Sequence, residues 1–517
     1  MNSVGYDFLR RKLRLSVFPL LHPARVAPVQ RILSMPNDGL HVPRTVAPAS
    51  EAPIEHLLFA LKHEGINLQV LAQAMPHIEA ADVLARLRDA PSSLYARQAC
   101  FLWEWFTGRE LTDLPAVAGA YGDLFDSEDY LTGPASRIAK WRINFNGLGS
   151  QHYCPTVRRT PAIRAGVHSD ILGQTNAFLA SLGASNADRA VSWAYLSETD
   201  SSFAIERETP SASKAQAFVA LLEQAHEKIE LSEEYLADLQ SSTIANPFDR
   251  AAGFRHEQNW LRQGGLRGAG GVSYVPPPPE LLEPLMRAFM AMADALPRAI
   301  DPIVAASVAS FGFVFLHPFM DGNGRISRFL FHHALCQSGR LERGLLLPVS
   351  VAMKRHEDQY LAALQSFSKP ARKFWEVTWI DEDEFAFAFR GHPSIYRFWD
   401  ATAVVEFGFR MAEEALNVDL RKETEFLARF DRIQKALDAE FDLRSNDQHL
   451  LILSALQHGG MISKNRRKQL AQRVPAGVFD FVEHLARREL EAQSGPAGEG
   501  TANPNGKPDD DGSARRR

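Results

Sequence analysis

The segment HPFMDGNGRISR, residues 317–328, gathers the side chains that phosphate chemistry needs. His317 titrates near neutral pH and can take a proton from a hydroxyl. Asp321 is a hard oxygen ligand suited to Mg²⁺, which binds one or two carboxylates and completes its shell with phosphate and water. Gly322, Asn323 and Gly324 make a permissive turn at a helix start, where backbone amides can converge on an anion. Arg325 and Arg328, three apart, share a face of the first helical turn. Cations there oppose the helix dipole at a cost of about 0.3–1 kcal/mol each, which an anion in the site would offset. A polyphosphate is the natural occupant, and the parts are those of a phosphoryl or nucleotidyl transferase. Taken singly, each also has a plainer reading: a turn, a structural histidine at a helix end, and two solvated arginines.

Positioning these groups requires a frame. The apolar run PIVAASVASFGFVFL, residues 302–316, predicts a buried helix leading to His317. Pro318 biases the residue before it toward extended angles, so the helix is expected to stop with His317 extended. A second helix is expected from Arg325 to Ser338, with Gly339 suited to a left-handed cap. Upstream, QNWLRQGG and VSYVPPPPE flank a tip rich in glycine, including Gly264, Gly265, Gly268, Gly270 and Gly271, and predict a hairpin. His332 and His333 are adjacent and point about 100° apart on a helix, with no second ligand pair, so they are read as structural.

HPFMDGNGRISR resembles the signature of the Fic family, H-x-F-x-D/E-G-N-G-R-x-x-R, at every specified position. The resemblance implies a mainly α fold: a Fic-type helical core with a small β-hairpin flap, flanked by helical N- and C-terminal regions. It implies that His317 deprotonates a Ser, Thr or Tyr hydroxyl of a target protein, which attacks the α-phosphate of ATP. Phe319 would anchor the loop, Asp321 would bind Mg²⁺, and Gly322, Asn323 and Gly324 would hold phosphates. Arg325 would hold the β-phosphate region and Arg328 the γ-phosphate. A glycine at 324, where Doc-like relatives carry lysine, favours transfer of AMP. Tyr360 falls where family members often bring an aromatic to the adenine, although a core tyrosine reads as well. The hairpin looks like the flap that clamps a target segment. SSFAIERE resembles the family's inhibitory motif, S/T-x-x-x-E-G/N, through Ser202 and Glu206. Glu206 would then bind Arg328 in the space the γ-phosphate needs. Arg207 departs from the motif, standing where the family usually has Gly or Asn.

Around that core, composition sets the organisation. The 517 residues suffice for several domains, and 45% hydrophobic with 23% charged residues is a globular balance. A net charge of −5 gives no global attraction to nucleic acid or anionic lipid. No uncharged apolar run reaches membrane-spanning length, and three scattered cysteines cannot build a disulfide framework, so a cytoplasmic protein is expected. Residues 1–50 read as an irregular arm, 51–165 as a helical domain with a connector, and 166–380 as the Fic core. Residues 381–490 read as a helical C-terminal domain, helix-turn-helix-like in outline, with Lys464, Arg466, Arg467, Lys468 and Arg473 on its second helix; 491–517 read as a disordered tail. Partners are ATP and a hydroxyl-bearing protein, with no membrane; automodification and a homodimer are left open. Competing functions are removal of AMP or transfer of another phosphate-linked group by the same site, and a nucleotide-sensing DNA-binding regulator, which the acidic charge disfavours.

Overall fold

The helix Pro302–Leu316 begins where Pro302 pre-sets the first turn and the Asp301 carboxylate accepts from the amides of Ile303 (2.9 Å) and Val304 (3.4 Å). It is apolar on every side and buried almost throughout, as a central helix must be. In this computed structural model, which describes residues 3–35, 38–244, 250–262, 268–381 and 384–491, it packs against the helices Asn323–Gln337 and Thr402–Glu414. A small residue permits the close approach to the second of these: a Cβ on Gly408 would overlap the Ser307 hydroxyl. Helices Ala184–Ile205, Ala212–Gln224, Glu233–Thr243, Pro279–Ala295, Val349–Arg355 and Glu357–Arg372 enclose this pair in the largest core. The fold is mainly α with small sheets, as the sequence implies.

The expected hairpin is present: Leu261–Arg262 pairs antiparallel with Val272–Tyr274. Gly264 and Gly265 of its tip lie outside the described residues. A second hairpin, Trp375–Trp379 with Phe385–Phe389, lies where the sequence was read as the start of a helical region. FAFAF alternates with the period of a strand, and Phe385 and Trp375 join Val272 and Val275 in one apolar cluster. The two hairpins thus support each other.

The first fifty residues are not an irregular arm. They contain the helix Gly5–Lys12 and a three-stranded sheet in which Gly39–Val42 pairs parallel with Ala24–Val26 and antiparallel with Leu33–Met35. The strands are three or four residues long and the helix has barely two turns, too short for periodicity to register. Helices Pro53–His63, Leu68–Ala74, Ala80–Asp89 and Leu94–Thr107 build a second core around Trp103 and Trp141. The connector beyond them carries a sheet of Gly122–Asp123, Ile143–Phe145 and Ser136–Ile138.

The chain divides into two compact units, Met1–Leu420 and Arg421–Arg517. The first reaches past the acidic turn at 381 because Val404, Val405 and Phe407 of the helix Thr402–Glu414 are buried in the main core. In the second, helices Arg421–Glu440, Ser445–Gln457, Lys464–Leu470 and Ala476–Glu491 enclose their own core, including Ile433, Leu451 and Val482. The basic helix there has seven residues, and its Arg467 pairs with Glu483 at 2.8 Å. Arg473, just beyond it, lies 3.5 Å from Asp447. Residues 492–517, read as a tail, lie outside the described residues. Among the described residues, no helix is long and apolar enough to cross a membrane. Cys100, Cys154 and Cys336 are free.

Candidate active site

The central helix ends at His317, but not in the extended geometry expected before Pro318. The residue adopts the left-handed conformation, φ 49° and ψ 59°, while its amide donates to the Phe313 carbonyl at 2.8 Å. The left-handed cap lets the chain turn sharply without giving up the last helical bond. The imidazole is buried, with Nδ1 3.2 Å from the Val314 carbonyl. A neutral ring donating there leaves Nε2 as its proton acceptor. Burial pushes the His317 pKa down to about 4, the Val314 bond opposing this and the nearby Arg255 charge adding to it. The ring is therefore neutral at physiological pH.

The loop that follows is held from inside and out. Asn323 spans it, its Oδ1 accepting from the Phe319 amide at 3.0 Å and its Nδ2 donating to the Phe319 carbonyl at 2.8 Å. The Phe319 ring is buried. Both ends of its side-chain amide are thus committed to loop geometry, which leaves its backbone N–H as the group that could face a phosphate. From outside, Asn259 donates to the carbonyls of Phe319 and Met320, both at 3.0 Å. Arg255 is buried and donates to the carbonyls of His317 (2.8 Å), Glu257 (2.9 Å) and Pro277 (2.6 Å). Its own amide donates to the Pro318 carbonyl at 2.8 Å. Burial brings its pKa down to about 10. Arg255 and Asn259 were not legible as functional residues, because carbonyl partners leave no pattern in a sequence.

Gly322 takes φ 85° at the start of the helix Asn323–Gln337, and a Cβ there would press on Ile244 at 3.3 Å. Asp321 projects with 60% of its side chain exposed; its Oδ1 accepts from the Gly322 amide at 2.6 Å and its Oδ2 lies 3.6 Å from Arg325. Among the described residues, no cluster of three or more His, Cys, Asp or Glu could hold a metal. A single exposed carboxylate beside a helix N-terminus fits Mg²⁺ arriving with a phosphate ligand, and does not fit a protein-caged ion.

Arg328 is 1% exposed. Its Nε donates to the Ser202 hydroxyl and Nη2 to the Ser202 carbonyl, both at 2.7 Å, and Nη2 lies 2.9 Å from Glu206 Oε1. Burial works against the charge, yet Glu206 outweighs it, and the guanidinium's pKa stands above its ordinary value. A Cβ on Gly324 would overlap the Glu206 carboxylate, so Glu206 lies directly over the turn that opens the helix. Arg325 pairs with Glu208 at 3.1 Å and donates to the Thr243 carbonyl at 3.1 Å. The structure thus brings His317, Asp321, Gly322, Gly324, Arg325, Arg328, Ser202 and Glu206 together.

Tyr360 is half-buried beside the site. Its ring packs with Phe311 and Phe407, centroids 5.9 Å away in each case, and its hydroxyl lies beside Arg328. The helix Glu357–Arg372 turns it inward against the main core. His332, 2.7 Å from Glu198, and His333 are buried, in keeping with their structural reading.

Residues 230–335 match the family described as Fic/DOC family. The match covers about a fifth of the chain and marks that stretch as similar to a Fic domain. Among its relatives, the protein adenylyltransferase Fic of Nematostella vectensis is 35% identical over 88 residues, 17% of this chain and 19% of that protein. The protein of the same name from Aedes aegypti is 33% identical over 93 residues, 18% of this chain and 17% of that one. The chain thus spans under a fifth of the length of these curated relatives. A solved Fic family protein from Desulfovibrio desulfuricans G20 aligns with 63% of this chain and 89% of its own, at 18% identity and a TM-score of 0.37.

Proposed function

We propose that this protein transfers AMP from ATP to a hydroxyl side chain of a target protein, and that Glu206 restrains it. One observation carries the reading: a neutral, acceptor-ready His317 stands at the mouth of a turn whose Arg325 and Arg328 are already occupied by carboxylates, the charge a polyphosphate would bring. The relatives' name, protein adenylyltransferase, supports the same reaction. His317 Nε2 accepts the proton of the target hydroxyl, whose oxygen bonds to the α-phosphorus. The bond from that phosphorus to the β-phosphate oxygen breaks, and pyrophosphate leaves. Amides at the start of the helix Asn323–Gln337 and the two arginines orient the phosphates. Asp321 would hold Mg²⁺, which screens phosphate charge when bound. The hairpin Leu261–Arg262 with Val272–Tyr274 presents an edge on which a target segment can pair.

Glu206 and the γ-phosphate compete for one guanidinium, so their occupancies exclude each other. The free thiols suit a reducing compartment, the cytoplasm. A DNA-binding reading is weakened in the second unit, where two of the five basic residues, Arg467 and Arg473, are already opposed by carboxylates. Incubation with α-labelled and, separately, γ-labelled ATP distinguishes the reactions. AMP transfer leaves the α label alone on protein; a covalent γ label would mean phosphorylation instead.

A further inference from the structure

Glu206 is one of two carboxylates on the anion turn. The helix Ala184–Ile205 ends at Glu206, and Arg207 follows in the left-handed conformation, φ 60°. Its amide donates to the Ala204 carbonyl and that of Glu208 to the Phe203 carbonyl, both at 3.0 Å, closing a helix-ending turn. Two residues apart on a continuing helix, Glu206 and Glu208 would point about 160° from one another. The left-handed residue between them swings the second carboxylate back. Glu206 then meets Arg328 and Glu208 meets Arg325, two arginines one helical turn apart on the facing helix. Both guanidiniums are all but fully buried, at 1% and 3% exposure, while the carboxylates are 37% and 39% exposed. Lys214, 4.0 Å from Glu208, steadies the second contact.

We propose that Glu208 is a second inhibitory carboxylate, so that Glu206 and Glu208 together stand in for a polyphosphate on Arg328 and Arg325, and ATP must displace both. The inference rests on the reading that this turn binds ATP. It assigns Arg207 a part as well: its left-handed turn sets the spacing of the two prongs. Release of one carboxylate leaves the other guanidinium occupied, so inhibition should be removed in two steps.

The test is calorimetric binding of a non-hydrolysable ATP analogue with Mg²⁺ to the full chain, in the wild type, E206G, E208A and E206G/E208A. Each partly exposed charge pair is expected to mask affinity by about 3- to 10-fold, and the double variant should bind more tightly than either single one. Glu208→Ala leaves Arg325 short of a partner, so thermal unfolding of each variant without ligand is measured alongside. A drop that Mg²⁺ with the analogue reverses fits the proposal. Should E208A fold poorly, E208Q removes the charge and keeps an acceptor. Glu208 is not an inhibitor if E206G binds more tightly while E208A, alone or in that background, gains nothing or loses affinity. If no variant binds the analogue, and R325A and R328A change nothing, the ATP reading itself fails.

Discussion

His317 meets two conditions that burial supplies together. It must be unprotonated to accept a proton, and it must be buried enough to be held still. Here burial itself keeps it neutral, at a pKa of about 4 against an ordinary 6.5. The acid limb of kcat/KM, read in E206G to remove inhibition, should therefore fall only at or below about 4, since loss of the Glu206 charge lowers the histidine further; a limb near 6.5 would show a solvated histidine. The sign for stability follows: the unfolded chain binds this proton first, so His317 destabilises the fold as pH falls from 6.5 toward 4. Replacing it with alanine should cost transfer at least about 100-fold while ATP still binds. Arg255 acts one step further out. In E206G, Arg255→Lys keeps the charge and loses the planar fork that joins the carbonyls of His317, Glu257 and Pro277. Turnover should fall by about tenfold or more with the ATP KM nearly unchanged, because the hydroxyl and not the nucleotide loses its alignment. An equal change in both constants would make Arg255 merely structural.

At the scale of elements, the left-handed turn at Arg207 links helix capping to regulation. A residue with a Cβ in that conformation costs about 1 kcal/mol that glycine does not. Arg207→Gly should therefore stabilise the end of the helix Ala184–Ile205, raise thermal stability by roughly that amount, and lower automodification. A rise in automodification would mean that the arginine side chain, rather than the turn, holds the inhibitory segment. The departure from the family motif at this position thus acquires a physical meaning that sequence comparison alone leaves blank. The order helix, loop, helix was legible because the apolar run 302–316 and the glycines are strong local signals. His317 was misjudged as extended because a helix cap can outweigh the bias of the following proline. The staple made by the Asn323 side chain and the packing of the Tyr360 ring were not legible, because which atoms a side chain meets is decided by the folded loop and core.

Across the whole chain, regular patterns were readable and short or long-range ones were not. The sheet within residues 24–42 is too brief for a period to declare itself against neighbouring helices, whereas FAFAF does alternate with the period of a strand. The boundary at Leu420 depends on which core receives Val404, Val405 and Phe407, a tertiary fact. Since Phe430, Ile433, Leu451 and Val482 fill a core of their own, ending the chain at Leu420 should preserve ATP binding and the cooperative unfolding of residues 1–420. Loss of both would tie the second unit to the site. The claim on which the rest depends is that the turn at 317–328 delivers AMP to protein. Intact-mass measurement after incubation with Mg²⁺ and ATP tests it directly, using E206G and E206G/H317A with candidate hydroxyl-bearing proteins present. A gain of one or more AMP masses on protein with E206G, absent with E206G/H317A, is the predicted result; AMP addition that persists without His317, or a gain of phosphate mass instead, would contradict it.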